Sequence, residues 1–168
     1  CSYRGLPLKR TEIRNPIGCN MSFRKKVFEK AGYFKTDIGR CGNTLLCNEE
    51  TEFSIRALSL VPGSKIIYEP SAIVYHKVSK NRESFKYIWT RSFYEGISKA
   101  IISSKTDSSK ILYTEGSYLR LLLSKAIPLR LRHIYKPRIA GELFTLLLSL
   151  SGVFAGFAAG RITKGLKD

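Results

Sequence analysis

Acidic side chains are scarce in this 168-residue chain: 13 Asp and Glu stand against 29 Lys and Arg, leaving a formal net charge of +16. Such an imbalance excludes a charge-balanced surface and attracts polyanions, whether nucleic-acid backbones, anionic lipid head groups or phosphorylated substrates. Cysteine is sparse as well. Cys1, Cys19, Cys41 and Cys47 form no CxxC pair with a second ligand pair, which argues against a zinc ribbon or a disulfide framework and for reduced, mostly buried thiols. A Cys41–Cys47 bridge in a loop stays open as the alternative. No charged-then-apolar leader opens the chain, and Cys stands at position 1 instead of Met, so residue 1 is expected to be a truncation point. No RNP-like or helix-turn-helix word accompanies the nine tyrosines and nine phenylalanines. These aromatics lie at core-like spacings, which disfavours a nucleic-acid-binding module. The length suffices for one compact domain with an appendage and is too short for two full domains.

The base excess is uneven: the part after Tyr75 holds 17 of the 29 Lys and Arg but only 6 of the 13 acids. Residues 1–17 read as a loop, with Gly5, Pro7 and Pro16 and no apolar period. A short strand is predicted over 17–23, then one or two helical turns over 24–31 ended by Gly32. Gly39, Gly42 and Asn43 predict a flexible loop. Asn48 is a candidate N-cap for a helix that stops before Pro62-Gly63. Two short strands are predicted at 65–68 and 71–76 from β-branched and aromatic runs. A long surface helix follows over 83–103, and the polar stretch 103–109 reads as a boundary.

Residues 118–135 interleave leucines and isoleucines with Arg120, Lys125, Arg130 and Arg132, broken at Pro128. The pattern suits a basic helix lying in a membrane interface, or an amphipathic helix covering a core. Residues 143–160 carry no charge. As a helix they reach roughly 27 Å, just enough to cross the hydrocarbon layer. Gly152, Gly156 and Gly160 share one stripe, as close helix approach requires. Lying flat or folding as a buried hairpin remain the alternatives. Basic residues flank both ends, so orientation is not settled by charge.

Glu49, Glu50 and Glu52 open the helix after Asn48. Glu49 and Glu52 can share a face while Glu50 points about 100° away. All three also complement the helix macrodipole, so their spacing alone is explained by stability. Three words read together give more: 18–24 (Gly-Cys-Asn-Met-Ser-Phe-Arg), 31–37 (Ala-Gly-Tyr-Phe-Lys-Thr-Asp) and 48–56 (Asn-Glu-Glu-Thr-Glu-Phe-Ser-Ile-Arg). Their order and spacing resemble the second half of family-2 glycosyltransferases, and the likeness extends through 67–70, 72–76 and 91–96 to cover about residues 17–100.

The resemblance implies an α/β chain, the C-terminal half of a GT-A (nucleotide-diphospho-sugar transferase) fold with few short strands, followed by an amphipathic and a hydrophobic helix. The divisions expected from it are 1–104 as the acceptor-side half of the catalytic domain, 105–136 as linker and basic interfacial helix, and 137–168 as hydrophobic membrane helix with a basic tail. It implies an inverting transfer from a nucleotide-sugar donor to a lipid-linked or cell-envelope glycan acceptor, with the catalytic part cytoplasmic and membrane-associated. Glu50 takes the place of the family's catalytic base, usually Asp, one methylene longer here. Asn20, Glu49 and Glu52 would bind substrate, although Asn20 could equally serve a turn. Arg91 would pair with the leaving diphosphate, against the alternative of a solvated basic helix face. His76 would approach a divalent metal, Mn or Mg, against the alternative of a hydrogen-bonded strand-edge residue. That metal would be bound mainly by an N-terminal half, since no Asp-x-Asp occurs here. The fragment alone is expected to be inactive. Membrane lipids are expected partners and nucleic acid is not; a basic nucleic-acid module and a non-catalytic membrane scaffold are the competing readings.

Overall fold

The computed structural model describes residues 7–40, 44–105 and 108–165, without the side chains of 105, 108–114 and 163–165. The expectations for Cys1, Cys41, Gly42 and Asn43 lie outside these. The chain forms two compact units, one comprising Cys1–Gly39 and Asn48–Val78, the other Arg40–Cys47 and Ser79–Asp168. The described structure is mostly helical, with one two-stranded sheet.

In the first unit β1 (Thr11–Ile13) pairs antiparallel with β2 (Ile66–Tyr68), Thr11 opposite Tyr68 and Ile13 opposite Ile66. The expected strand at 65–68 forms, as β2. Its partner lies in the segment expected to be a loop; three residues are too few to display a period of two. Exposed ion pairs flank the ladder, Lys65–Glu12 at 3.3 Å and Arg10–Glu69 at 3.9 Å.

Two predicted strands do not form. Over 17–23 the chain makes a tight turn instead, with the Asn20 N–H donating to the Ile17 carbonyl at 2.9 Å. Over 71–76 the backbone turns at Ser71, whose N–H and hydroxyl both donate to Glu69 Oε1, and then runs exposed without regular secondary structure. A β-branched run becomes a strand only beside a partner, and none of the described strands lies next to it.

Helix α1 (Lys25–Ala31) ends as expected at Gly32, whose φ of 74° lets its N–H reach the Phe28 carbonyl at 2.8 Å. Helix α2 (Glu49–Leu60) begins after Asn48, but Asn48 sits in the left-handed region (φ 72°) and its side chain does not cap. Its carbonyl instead accepts the first helical bond, from Glu52. Phe53, fully buried, is the hub of the core: Phe23, Phe28 and Phe34 surround it with ring centroids 4.8, 5.0 and 4.7 Å away. Each such pair contributes about 0.5–1.5 kcal/mol beyond its buried area.

The second unit holds α3 (Phe85–Lys105), α4 (Ser108–Leu121), α5 (Ile127–Arg132) and α6 (Pro137–Gly165). Pro128 does not break the helical path. One π turn over Leu122–Ala126 precedes it, and the Ile127 N–H bonds back to the Leu122 carbonyl. The wide turn takes up the position where proline would otherwise strain an α-helix. Helices α3 and α6 run in the same direction, since Phe85 meets Phe144 (5.2 Å) at one end and Ile97 and Ala100 meet Gly160 at the other.

The glycine stripe is spent on this pairing. A Cβ at Gly152 would stand 2.8 Å from Ser92 Cβ, one at Gly160 2.8 Å from Ala100 Cβ, and one at Gly156 would collide with the Phe93 backbone. By contrast nothing lies within 4 Å of a Cβ at Gly141, on the same helix. Gly156→Ala is therefore expected to destabilise the helix pair by about 1–3 kcal/mol, while Gly141→Ala stabilises by up to about 1 kcal/mol. Thermal melts of the chain in detergent would read both; equal and opposite-free shifts, with Gly156→Ala as mild as Gly141→Ala, would refute the close approach. The segment Pro137–Ile162 of α6 is long and apolar enough to cross a membrane, with a mean hydropathy of 1.9.

Candidate functional site

The acidic opening of α2 lies over two glycine turns of the first unit. The Glu50 carboxyl carbon and Oε1 sit 3.8 Å from where a Gly18 Cβ would be, so the half-buried carboxylate faces the backbone of the 17–20 turn. Its main-chain carbonyl accepts the Ser54 hydroxyl at 2.6 Å. Glu49 packs on the other glycine, Gly39, where φ is 103° and a Cβ would stand 3.1 Å from the Glu49 carboxylate, so any side chain there would be strained. The Glu49 Oε2 atom is buried with no hydrogen-bond partner among the described residues. A carboxylate oxygen in that condition is unusual and fits a group that receives a donor from a ligand.

Glu52 is differently employed. Only 2% of its side chain is exposed, and both its oxygens accept from Arg56 at 2.9 Å, with Lys35 at 3.1 Å on Oε1. Burial alone would raise this carboxyl, but the hydrogen bonds and charges of Arg56 and Lys35 outweigh it and hold it below the usual carboxylate range. Arg56 also donates to the carbonyls of Ala31 and Tyr33 and lies over the Phe53 ring. The pair thereby ties α2 to the end of α1 and fixes the orientation of the first turn that carries Glu49 and Glu50.

Asn20 donates from Nδ2 to the Ala72 carbonyl at 2.6 Å, tying the 17–20 turn to the segment after β2. It lines an open groove of about 870 Å³ together with Ile13, Ile17, Ile67, Arg24, Lys26 and Lys30. His76 stands exposed on the irregular segment after β2. Among the described residues no three His, Cys, Asp or Glu side chains converge as metal donors, so these residues do not compose a metal site by themselves.

Arg91 belongs to the second unit, where it is half-buried and donates to Glu95 Oε2 at 3.2 Å and to Cys47 Sγ at 2.9 Å. Glu95 continues to Lys99 at 3.3 Å, and Lys99 to Glu115 of α4 at 2.9 Å. Burial works against the Lys99 charge, yet the two glutamates outweigh it and hold the ammonium above its ordinary range. Sequence inspection missed this ladder because Arg91, Glu95 and Lys99 recur every four residues, a spacing that solvated helix faces share. Burial, and secondly the Glu95 charge, push the Cys47 thiol up to about 12. Cys47 is thus buried as expected, whereas Cys19 is exposed. Iodoacetamide at mildly alkaline pH should alkylate Cys19 and leave Cys47 untouched until the chain unfolds, as peptide mass spectrometry would show. Equal labelling of the two in the folded chain would contradict the burial.

No protein-family model matches the sequence, and no solved structure matches it. Among curated proteins the chain is similar to a glucosyl-dolichyl phosphate glucuronosyltransferase of Haloferax volcanii, 29% identical over 176 positions that take in all of this chain and 54% of that protein. The chain spans about half the length of that relative.

Proposed function

We propose that this chain is the acceptor-side part of an inverting glycosyltransferase of the GT-A type, working at a membrane on a lipid-linked acceptor such as a dolichyl phosphate-linked sugar. The observation that carries the reading is the placement of Glu50. It stands in the first turn of a helix locked by the Glu52–Arg56 pair, with its carboxylate over the glycine turn that leads to Asn20. The whole-chain likeness to a transferase acting on a dolichyl phosphate-linked sugar supports it.

In this mechanism Glu50 accepts the proton of the acceptor hydroxyl as that oxygen attacks the anomeric carbon, and one direct displacement inverts the centre. Glu49, whose buried Oε2 has no hydrogen-bond partner among the described residues, orients the acceptor by accepting a hydrogen bond from a second hydroxyl. Asn20 shapes the floor beside them, and Glu52 acts through the helix it anchors. The resemblance alone suggests that Arg91 meets the leaving diphosphate; in the second unit it is held by Glu95 and Cys47. The nucleotide and a divalent Mn or Mg ion fall to the portion of the relative's length that the chain does not cover, with His76 contributing from this side. Helix α6 attaches the protein to the membrane where its acceptor resides, the catalytic part facing the cytoplasm.

The test uses membranes bearing the longer protein, a nucleotide-activated hexose or hexuronic acid, and a dolichyl phosphate-linked sugar. Transfer of label into the organic phase with an inverted anomeric configuration by NMR is the expected result. Retention of configuration would remove the single-displacement role of Glu50, and absence of transfer across a panel of donors and acceptors would remove the enzyme reading.

A further inference from the structure

The segment from Gly116 to Gly141 contains six Lys and Arg and no acid. The nearest carboxylates on either side are already taken: Glu115 by Lys99, and Glu142 by Arg130 and Arg138 at 3.3 and 3.5 Å. Arg120, Lys125, Arg132 and Lys136 are exposed and, among the described residues, form no ion pair with a carboxylate. Apolar side chains project among them to an extent that no folded aqueous surface requires. Leu121 is 48% exposed, Leu123 and Leu129 58%, Leu131 51% and Ile134 50%. Leu122, in the same stretch, is buried at 6%, so the helix does have an inner face and these leucines are not on it.

The π turn over Leu122–Ala126 and Pro128 at the start of α5 lie between the exposed Leu121 and the exposed leucines at 129 and 131. Exposed aliphatic side chains and long cationic side chains thus alternate along this stretch, and the stems of the latter can extend to carry charge away from an apolar layer. The stretch sits at the entry to α6, joined to it by the short turn at His133–Lys136.

We infer that α4, the π turn and α5 form a docking surface for an anionic lipid leaflet, the leucines entering the head-group and acyl boundary while Arg120, Lys125, Arg132 and Lys136 meet lipid phosphates. The charge match selects the partner: four cations in no ion pair among the described residues demand anions, and five exposed aliphatic side chains demand an adjoining apolar phase. A nucleic acid supplies the first without the second. The inference goes beyond the transferase reading and does not depend on it, since it concerns only the second unit.

The test places the full chain in nanodiscs of phosphatidylcholine alone, or mixed about two to one with phosphatidylglycerol. A tryptophan probe at the surface, Leu123→Trp in a Trp89→Phe background, reports contact with acyl chains through quenching by brominated lipid. Strong quenching in the anionic discs, weakened by salt and at least about tenfold less in the K125E/R132E/K136E variant, is the expected outcome. Circular dichroism of each variant checks that the helices persist, and a milder K125Q/R132Q/K136Q set gives an intermediate loss if the charges act through lipid phosphate. An unquenched probe in anionic discs, or equal quenching in neutral discs, overturns the proposal. So does tight, salt-sensitive binding to an oligonucleotide that leaves the probe unquenched. Transferase activity is not read in this assay, so its failure and the failure of the enzyme reading are distinguishable.

Discussion

If the proposed transfer is this protein's activity, replacing Glu50 by Gln is expected to lower the transfer rate at saturating donor and acceptor by about 10²–10⁴-fold, the range a positioned general base supplies. The substitution keeps the shape of the side chain and its contact with the Gly18 turn, and removes its ability to accept a proton. An effect on kcat with little change in KM marks loss in the transition state, whereas a rise in KM alone would mark Glu50 as a binding group. Glu50→Asp is expected to retain measurable transfer, because Asp is the residue that the resemblance places there. Glu49→Gln should act mainly on KM, since the part proposed for Glu49 is to receive a hydrogen bond from the acceptor. A Glu50→Gln enzyme working at the wild-type rate would end the assignment.

The helices and their ends were largely legible in the sequence. Gly32 and Pro62-Gly63 delimit helices through backbone constraints that act locally, and those limits are where α1 and α2 stop. The strands were less so. The runs at 65–68 and 71–76 have similar compositions, yet only the first meets a partner, Thr11–Ile13, more than fifty positions away. Pairing of that range has no local signal. In the three words that carry the resemblance, the aromatics Phe23, Phe34 and Phe53 prove to be the core of the first unit, while Asn20, Glu49 and Glu50 sit at its margin. The words are therefore partly a record of packing and partly of chemistry. What no spacing could show is that Glu52, a turn from Glu49 on the same helix, is held in a buried ion pair while an oxygen of Glu49 has no hydrogen-bond partner among the described residues. Partners from Lys35 and Arg56 decide that difference.

Arg56→Ala is expected to destabilise the first unit by about 3–5 kcal/mol, the loss typical when one member of a buried pair is removed and the other charge stays. Glu52 is 2% exposed and cannot turn to water, and Lys35, 40% exposed, offers a single contact where Arg56 offers a fork. The Ala31 and Tyr33 carbonyls lose their donor in the same step. Arg56→Lys should recover only part of the loss, because an ammonium cannot reach both oxygens and both carbonyls together. The double replacement Arg56→Met with Glu52→Leu should be milder than Arg56→Ala, since no unpaired charge is left. Acid gives an independent view of the same pair. The Glu52 carboxyl is held below its unfolded range, so its stabilisation is fully present above an unfolded value of about 4.3. As the pH falls below that value the contribution declines, and it is lost once the pH passes through the lower folded value. Glu52→Gln should remove that portion of the acid sensitivity. Urea unfolding followed by the near-UV signal of the phenylalanine and tyrosine cluster reads both effects. An Arg56→Ala chain as stable as the parent, with unchanged acid sensitivity, would mean that the aromatic core alone holds α2 in place and that the orientation of Glu50 has another origin.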